Sequence, residues 1–163
     1  MQRKSSLSFW LTAPLLWLVA LPALAQIALE SQVQKVEHIE HDDGQVETRL
    51  VDADSVVPGD ELRYTISFRN EGDEPIDPNS IVITDPLPRA TRYIDGTAFG
   101  AGARVTYSVD RGQSFADPEA LYVESNGTRR QATPEDYTAI RWEFEPGLEP
   151  GEASHVSFNV QLR

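Results

Sequence analysis

The chain has 163 residues, of which 26 are acidic and 14 are lysine or arginine, for a net charge of −12, and it contains no cysteine. That charge balance repels nucleic acid and anionic lipid. Without cysteine there can be neither a disulfide staple nor a lipoprotein anchor, so stability has to come from packing.

The first segment carries Arg3 and Lys4, an apolar run from Phe9 to Ala20, a helix-breaking Pro22 and then Ala23-Leu24-Ala25. Basic region, short apolar region and small-residue site in that order predict a secretory signal helix, cleaved before Gln26. The run is well short of the roughly 20 apolar residues that cross a bilayer, and no later segment is apolar enough to do so. Cleavage takes Arg3 and Lys4 with it, leaving 138 residues and a net charge of −14. Residues 26–163 fit one domain, delivered to the periplasm, the cell surface or the medium. The acids are spread along the chain, as in a solvated surface.

From Gln26 to Val51, Ile27, Leu29 and Val33 share a parity and Val36 breaks step. This predicts a strand with a bulge, a polar turn at His41-Asp42-Asp43-Gly44 and a second strand ending near Val51. An amphipathic helix over Ala28 to Ile39 is the rival by periodicity. Val57-Pro58-Gly59-Asp60 then supplies a turn, and Leu62, Tyr64, Ile66 and Phe68 alternate with Arg63, Thr65, Ser67 and Arg69, the period of a strand with one face in a core. Asn70-Glu71-Gly72 ends it, and a short strand around Ile81 and Ile83 stops at Asp85-Pro86. Further along, Val105, Tyr107 and Val109 alternate before a tight turn at Asp110-Arg111-Gly112. Leu121 to Val123 is a short run, and Asn126-Gly127 turns the chain. Two strong strands close the sequence, one carrying Ile140, Trp142 and Phe144, the other Val156, Phe158, Val160 and Leu162, joined through Glu149-Pro150-Gly151-Glu152. After the signal segment no long capped helical period occurs, which makes the domain all-β. The predicted core is Leu62, Tyr64, Ile66, Phe68, Ile81, Ile83, Tyr107, Ile140, Trp142, Phe144, Val156, Phe158 and Val160. Pro58-Gly59-Asp60 and Pro150-Gly151-Glu152 echo one another before two such strands, an echo explained by two strands needing the same sharp turn.

Val57-Pro58-Gly59-Asp60 with Tyr64-Thr65-Ile66, then Asn70-Glu71-Gly72, Val82-Ile83-Thr84-Asp85-Pro86-Leu87-Pro88, Tyr93 and Gly96 resembles the DUF11 conserved-repeat domain of bacterial surface and secreted proteins. Leu148-Glu149-Pro150-Gly151-Glu152 before Val156 to Val160 is similar to that domain's last strand. The resemblance covers most of residues 56–163 and implies an immunoglobulin-like Greek-key β-sandwich with a structural or adhesive role and no established catalytic residues. Such domains usually recur in tandem, whereas one copy stands here. Residues 97–139 exceed a minimal repeat and predict an extra hairpin or loop excursion.

Ser108-Val109-Asp110-Arg111-Gly112-Gln113-Ser114-Phe115 resembles an Asp-box, a folding hairpin of sialidase-type propellers. One copy cannot build a propeller, so the expectation is a stabilised turn, with a glycosidase-like hydrolase as the remote reading. His38-x-x-His41-Asp42-Asp43 has zinc-ligand types at close spacing, while Asp73, Glu74, Asp77 and Asp85 have the hard oxygens that suit calcium. Both groups are also ordinary turn and surface composition. His155 falls in an alternating strand and is expected to point outward. No Gly-x-Ser-x-Gly elbow or phosphate-binding glycine loop occurs, and Asn126-Gly127-Thr128, a glycosylation pattern, reads as a turn. No catalytic, cofactor-binding or metal-ligating residue is therefore assigned. The expected function is that of a non-catalytic structural, adhesive or protein-binding module of the bacterial envelope. Its expected partner is an envelope or surface protein, with no nucleic acid and no membrane span after cleavage. A carbohydrate- or calcium-dependent binding module is the alternative.

Overall fold

The computed structural model describes residues 27–125 and 127–163; the expected signal helix of residues 1–25 and Asn126 lie outside them. The described chain is an all-β sandwich. Its larger sheet contains β1 (Ile27–Glu40), β2 (Val46–Asp52), β3 (Glu61–Asn70), β5 (Thr91–Tyr93), β6 (Phe99–Gly100) and β11 (Ala153–Leu162). The order is β2-β1-β3-β11-β5, and β6 pairs with β11 on the same side as β5. The smaller sheet has the order β4 (Ile81–Pro86), β10 (Ala139–Phe144), β7 (Ala103–Ser108). A separate hairpin, β8 (Tyr122–Ser125) with β9 (Thr128–Gln131), and two single 3-10 turns at Pro118–Ala120 and Pro134–Asp136 supply the expected excursion. Among the described residues no helix is long and apolar enough to cross a membrane.

Alternation along β3, β10 and β11 becomes burial between the layers. Phe68 meets Phe144 edge to face at 5.1 Å, Trp142 meets Phe158 at 5.8 Å, and Tyr93 meets Tyr107 at 5.6 Å, so aromatic rings from the two sheets fill the space between them. Eleven of the thirteen predicted core residues are buried, while Tyr64 and Ile66 are half-buried and pack against the cluster. Ile76, Tyr93, Leu121, Ala132, Tyr137 and Leu148 join the core from loops and short strands.

All pairings are antiparallel. The two layers pack face to face as a β-sandwich. The chain crosses between the sheets four times, from β3 to β4, β4 to β5, β6 to β7 and β10 to β11, and the pairings set β3 beside β11 and β4 beside β10. The two Pro-Gly turns that feed β3 and β11 use one hydrogen-bond pattern. Asp60 N–H donates to the Val57 carbonyl while its carboxylate accepts from Val57 N–H, and Glu152 does the same with Glu149. Gly59 at φ 99° and Gly151 at φ 80° supply the left-handed turn that a side chain disfavours.

β1 and β2 form the expected hairpin, but the expected bulge is absent. Registry with β3 runs unbroken from Ile27↔Asn70 to Val36↔Glu61, and with β2 from Gln34↔Asp52 to Glu40↔Val46. Val36 breaks the apolar parity because it lies on the sheet's outer face, between Leu50 and Glu61, where it is still only 5% exposed.

Candidate binding surface at the open side of the sandwich

Six strands face three, so part of the larger sheet has nothing beneath it. Trp142 of β10 lies under β11 and Phe144 under β3, which puts β4, the next strand, at the limit of the smaller sheet. β1 overhangs that limit. Leu29 shares its face with Phe68, its register partner, and so points toward the interlayer space, yet it is 66% exposed. On the other side of the opening Val82 of β4 is 54% exposed. Between them runs a cleft of about 440 Å³ lined by Leu29, Ile66, Val82, Ile83, Glu30 and Asp85, among others.

Asp85 occupies an inward position of β4, opposite Ile140. Burial pushes its carboxyl above the usual range, and among the described residues it has neither a hydrogen-bond donor nor a salt bridge. Tyr64, nearby on β3, is also pushed up, first by burial and then by the Asp85 charge. Among the described residues, nothing pairs with the outer edge of β4, nor with the edge of β1 over Ile27 to Val33, since β2 reaches only to Gln34. This is an opening whose backbone edges and apolar side chains both lack partners.

The other groups singled out in the sequence are held by their own neighbours. In the Asp-box, Asp110 accepts from Gln113 N–H, Ser114 N–H and the Ser108 and Ser114 hydroxyls. Ser108 Oγ in turn accepts from Gly112 N–H at 2.8 Å, and Arg111 and Gly112 take positive φ. These bonds, led by Ser114, hold the Asp110 carboxyl well below the usual range. The box is a stabilised turn, as expected.

His38 lies 3.4 Å from Glu61 and 3.3 Å from the Thr48 hydroxyl, whereas His41 lies 3.1 Å from Glu47, so the two imidazoles go to different carboxylates. Among the described residues no three His, Cys, Asp or Glu side chains are grouped to hold a metal ion, which applies equally to Asp73, Glu74, Asp77 and Asp85. His155 is exposed on the outer face with its ring 5.9 Å from Phe99.

Three features had no sequence signal. A polar ladder crosses the outer face of four strands, Thr48 to His38 to Glu61 to Asn159 to Arg63. Tyr93, Tyr107 and Tyr137 form one cluster, with Tyr107 and Tyr137 stacked at 4.5 Å and the Tyr93 and Tyr107 hydroxyls 3.2 Å apart. Burial, then the Tyr93 hydroxyl, raises Tyr107 far beyond the range in which it could serve as a base. Asn70, 0% exposed, donates to the Glu74 and Leu148 carbonyls and accepts from Gly72 N–H, tying the end of β3 to two loops.

Comparison of the chain with protein-family models, with curated proteins and with solved structures finds no match in any of the three.

Proposed function

We propose that this chain is an exported, non-catalytic β-sandwich module of the bacterial envelope that works by binding another protein. The observation that carries the reading is the open side, where exposed Leu29 and Val82 flank a cleft between the layers. Large apolar side chains gathered at an opening mark contact surfaces more often than scattered ones do. The likeness of residues 56–163 to the DUF11 repeat of secreted proteins supports the same reading, as does a leader with the order of a signal peptide. A photo-activatable residue placed at Leu29 in the full chain, expressed in its host, should cross-link to an envelope protein, while the same residue at exposed Glu119 should not. No product at Leu29, or equal products at both positions, overturns the proposal.

A second reading, glycan binding, is favoured by the cleft of about 410 Å³ between the Asp-box and the β8–β9 hairpin. It presents the rings of Phe115 and Tyr122, each with an arginine over its face, Arg141 at 3.7 Å and Arg129 at 4.3 Å. A glycan array with loss of the signal in Tyr122→Ala decides it.

A further inference from the structure

We propose that the open side receives an extended, basic segment of a protein partner, which adds along the free edge of β4 as a fourth strand of the smaller sheet and lies beneath Leu29 of the overhanging β1. The inference rests on the protein-binding reading above and specifies the partner's chemistry and its mode of attachment.

The spacing of β-sheets makes the fit. Neighbouring strands lie about 4.8 Å apart and facing sheets about 10 Å apart. A strand added beside β4 therefore falls under β1, one step out from the β3 and β11 strands that cover β10. That is where the cleft of about 440 Å³ runs. Every other residue along a strand faces one side, so alternate side chains of the incoming segment turn toward Leu29, Ile66 and Ile83, and the rest toward solvent beside Val82. Main-chain hydrogen bonds to β4 give attachment without a sequence requirement, and the cleft reads the alternate side chains.

Charge selects among such segments. Asp85 is the lining carboxylate on the inward face; Glu30 borders the cleft along β1 but, next to inward Leu29, belongs to the outer face, and no lysine or arginine is among the lining residues. Asp85 sits on the inward face, half-buried and without a donor among the described residues. A lysine or arginine on the inward face of the incoming strand supplies the missing donor. The same charge disfavours a second copy of this chain, because each copy brings Asp85 to the opening and the chain carries a net charge of −12.

The test uses the full chain and a fluorescently labelled, end-capped synthetic peptide in which threonine alternates with valine, valine and lysine in turn. The peptide should bind, and hydrogen exchange should slow at the β4 amides that face away from β10. N-methylation of alternate peptide amides should abolish binding, and glutamate in place of lysine should weaken it by about tenfold. Leu29→Lys and Asp85→Asn should each weaken binding without lowering the melting temperature. Failure of the peptide to bind overturns the proposal. So does equal binding of a scrambled peptide of the same composition, indifference to N-methylation, or concentration-dependent dimerisation that protects the β4 amides. If Leu29 cross-links to a partner but that partner leaves the β4 amides unprotected, strand addition fails while the protein-binding reading stands. If Leu29 captures nothing, both fail.

Discussion

Trp142 offers the sharpest test of how this disulfide-free sandwich holds together. It is 0% exposed, lies between its register partners Ile83 and Val105, and meets Phe158 across the layers at 5.8 Å. Gly100 of β6 passes close over it: a Cβ there would stand 3.1 Å from Trp142 Cδ1. Truncation to alanine removes the ring from a site that strands hold on every side and that can collapse only partly. The expected cost of Trp142→Ala is about 3–5 kcal/mol. At about 2–4 °C per kcal/mol for a domain of this size, the melting temperature should fall by roughly 6–20 °C. Trp142→Phe should behave differently. The indole N–H is buried and finds no acceptor in the protein, a condition that costs about 1–3 kcal/mol. Phenylalanine removes that donor along with part of the ring volume, and the loss of packing, about 1–3 kcal/mol, is offset by a gain of similar size. The net change should lie within about 2 kcal/mol of zero, the span of the difference between those two ranges. Urea unfolding followed by far-UV circular dichroism measures both variants, because the other two tryptophans, Trp10 and Trp17, fall in the expected signal segment and leave no fluorescence reporter once Trp142 is replaced. An equal loss in the two variants would refute the reasoning about the unpaired N–H. No loss in the alanine variant would refute the placement of β10 in the core.

Gly100→Ala should destabilise by about 1–3 kcal/mol, since the new methyl meets Val156 and Ala103 at 3.0 Å as well as Trp142; a melting temperature at or above wild type contradicts the close passage of β6. Asn70→Ala should cost about 2–4 kcal/mol by chemical denaturation, at about 1 kcal/mol for each of three hydrogen bonds plus the groups left unpaired in a buried site. A neutral result would mean that the loops it ties are held by other contacts. Two carboxyls should act on pH stability with opposite sign. Asp136 is held well below the usual range, first by Arg130 and, beyond that ion pair, by Thr133, so its contribution is present above about pH 4 and fades as the pH falls below it. Asp136→Asn should therefore lower the melting temperature at pH 7 and lose that effect in acid. Asp85 is raised by burial, so its charged form opposes folding, and Asp85→Asn should raise the melting temperature at pH 7 with the advantage vanishing below about pH 4. Thermal scans of both variants from pH 7 down to pH 3 check the signs, and a shared direction at pH 7 would contradict the assigned environments.

The parts of the fold that could be read residue by residue are those whose cause is local. Alternation in Leu62 to Phe68, Ile140 to Phe144 and Val156 to Val160 reports which face of a strand is wet, and the Pro-Gly pairs at 58–59 and 150–151 report the backbone conformation of a turn. The Asp-box is legible for the same reason, since its bonds lie within residues 108–114. Ile76, Tyr93, Tyr137 and Leu148 were missed because each lies in a loop or a strand too short to show a period, and their burial comes from what packs over them. The unbroken registry of β1 was misread as a bulge because Val36 is buried on the face that is otherwise polar.

The opening at Leu29 belongs wholly to the second kind. Nothing near Leu29 in the chain distinguishes it from Val33, which has the same parity and packs against the core. What separates them is how far the smaller sheet extends beneath β1, and that depends on β4 pairing with β10 and β3 with β11, segments tens of residues apart. The sequence by itself determined an all-β domain, its principal strands and most of its inward faces, because side-chain alternation and turn chemistry act over a few residues. Only the tertiary structure decided which strands are neighbours, where the layers end and which apolar side chains are left uncovered, because those outcomes arise from contacts between distant segments.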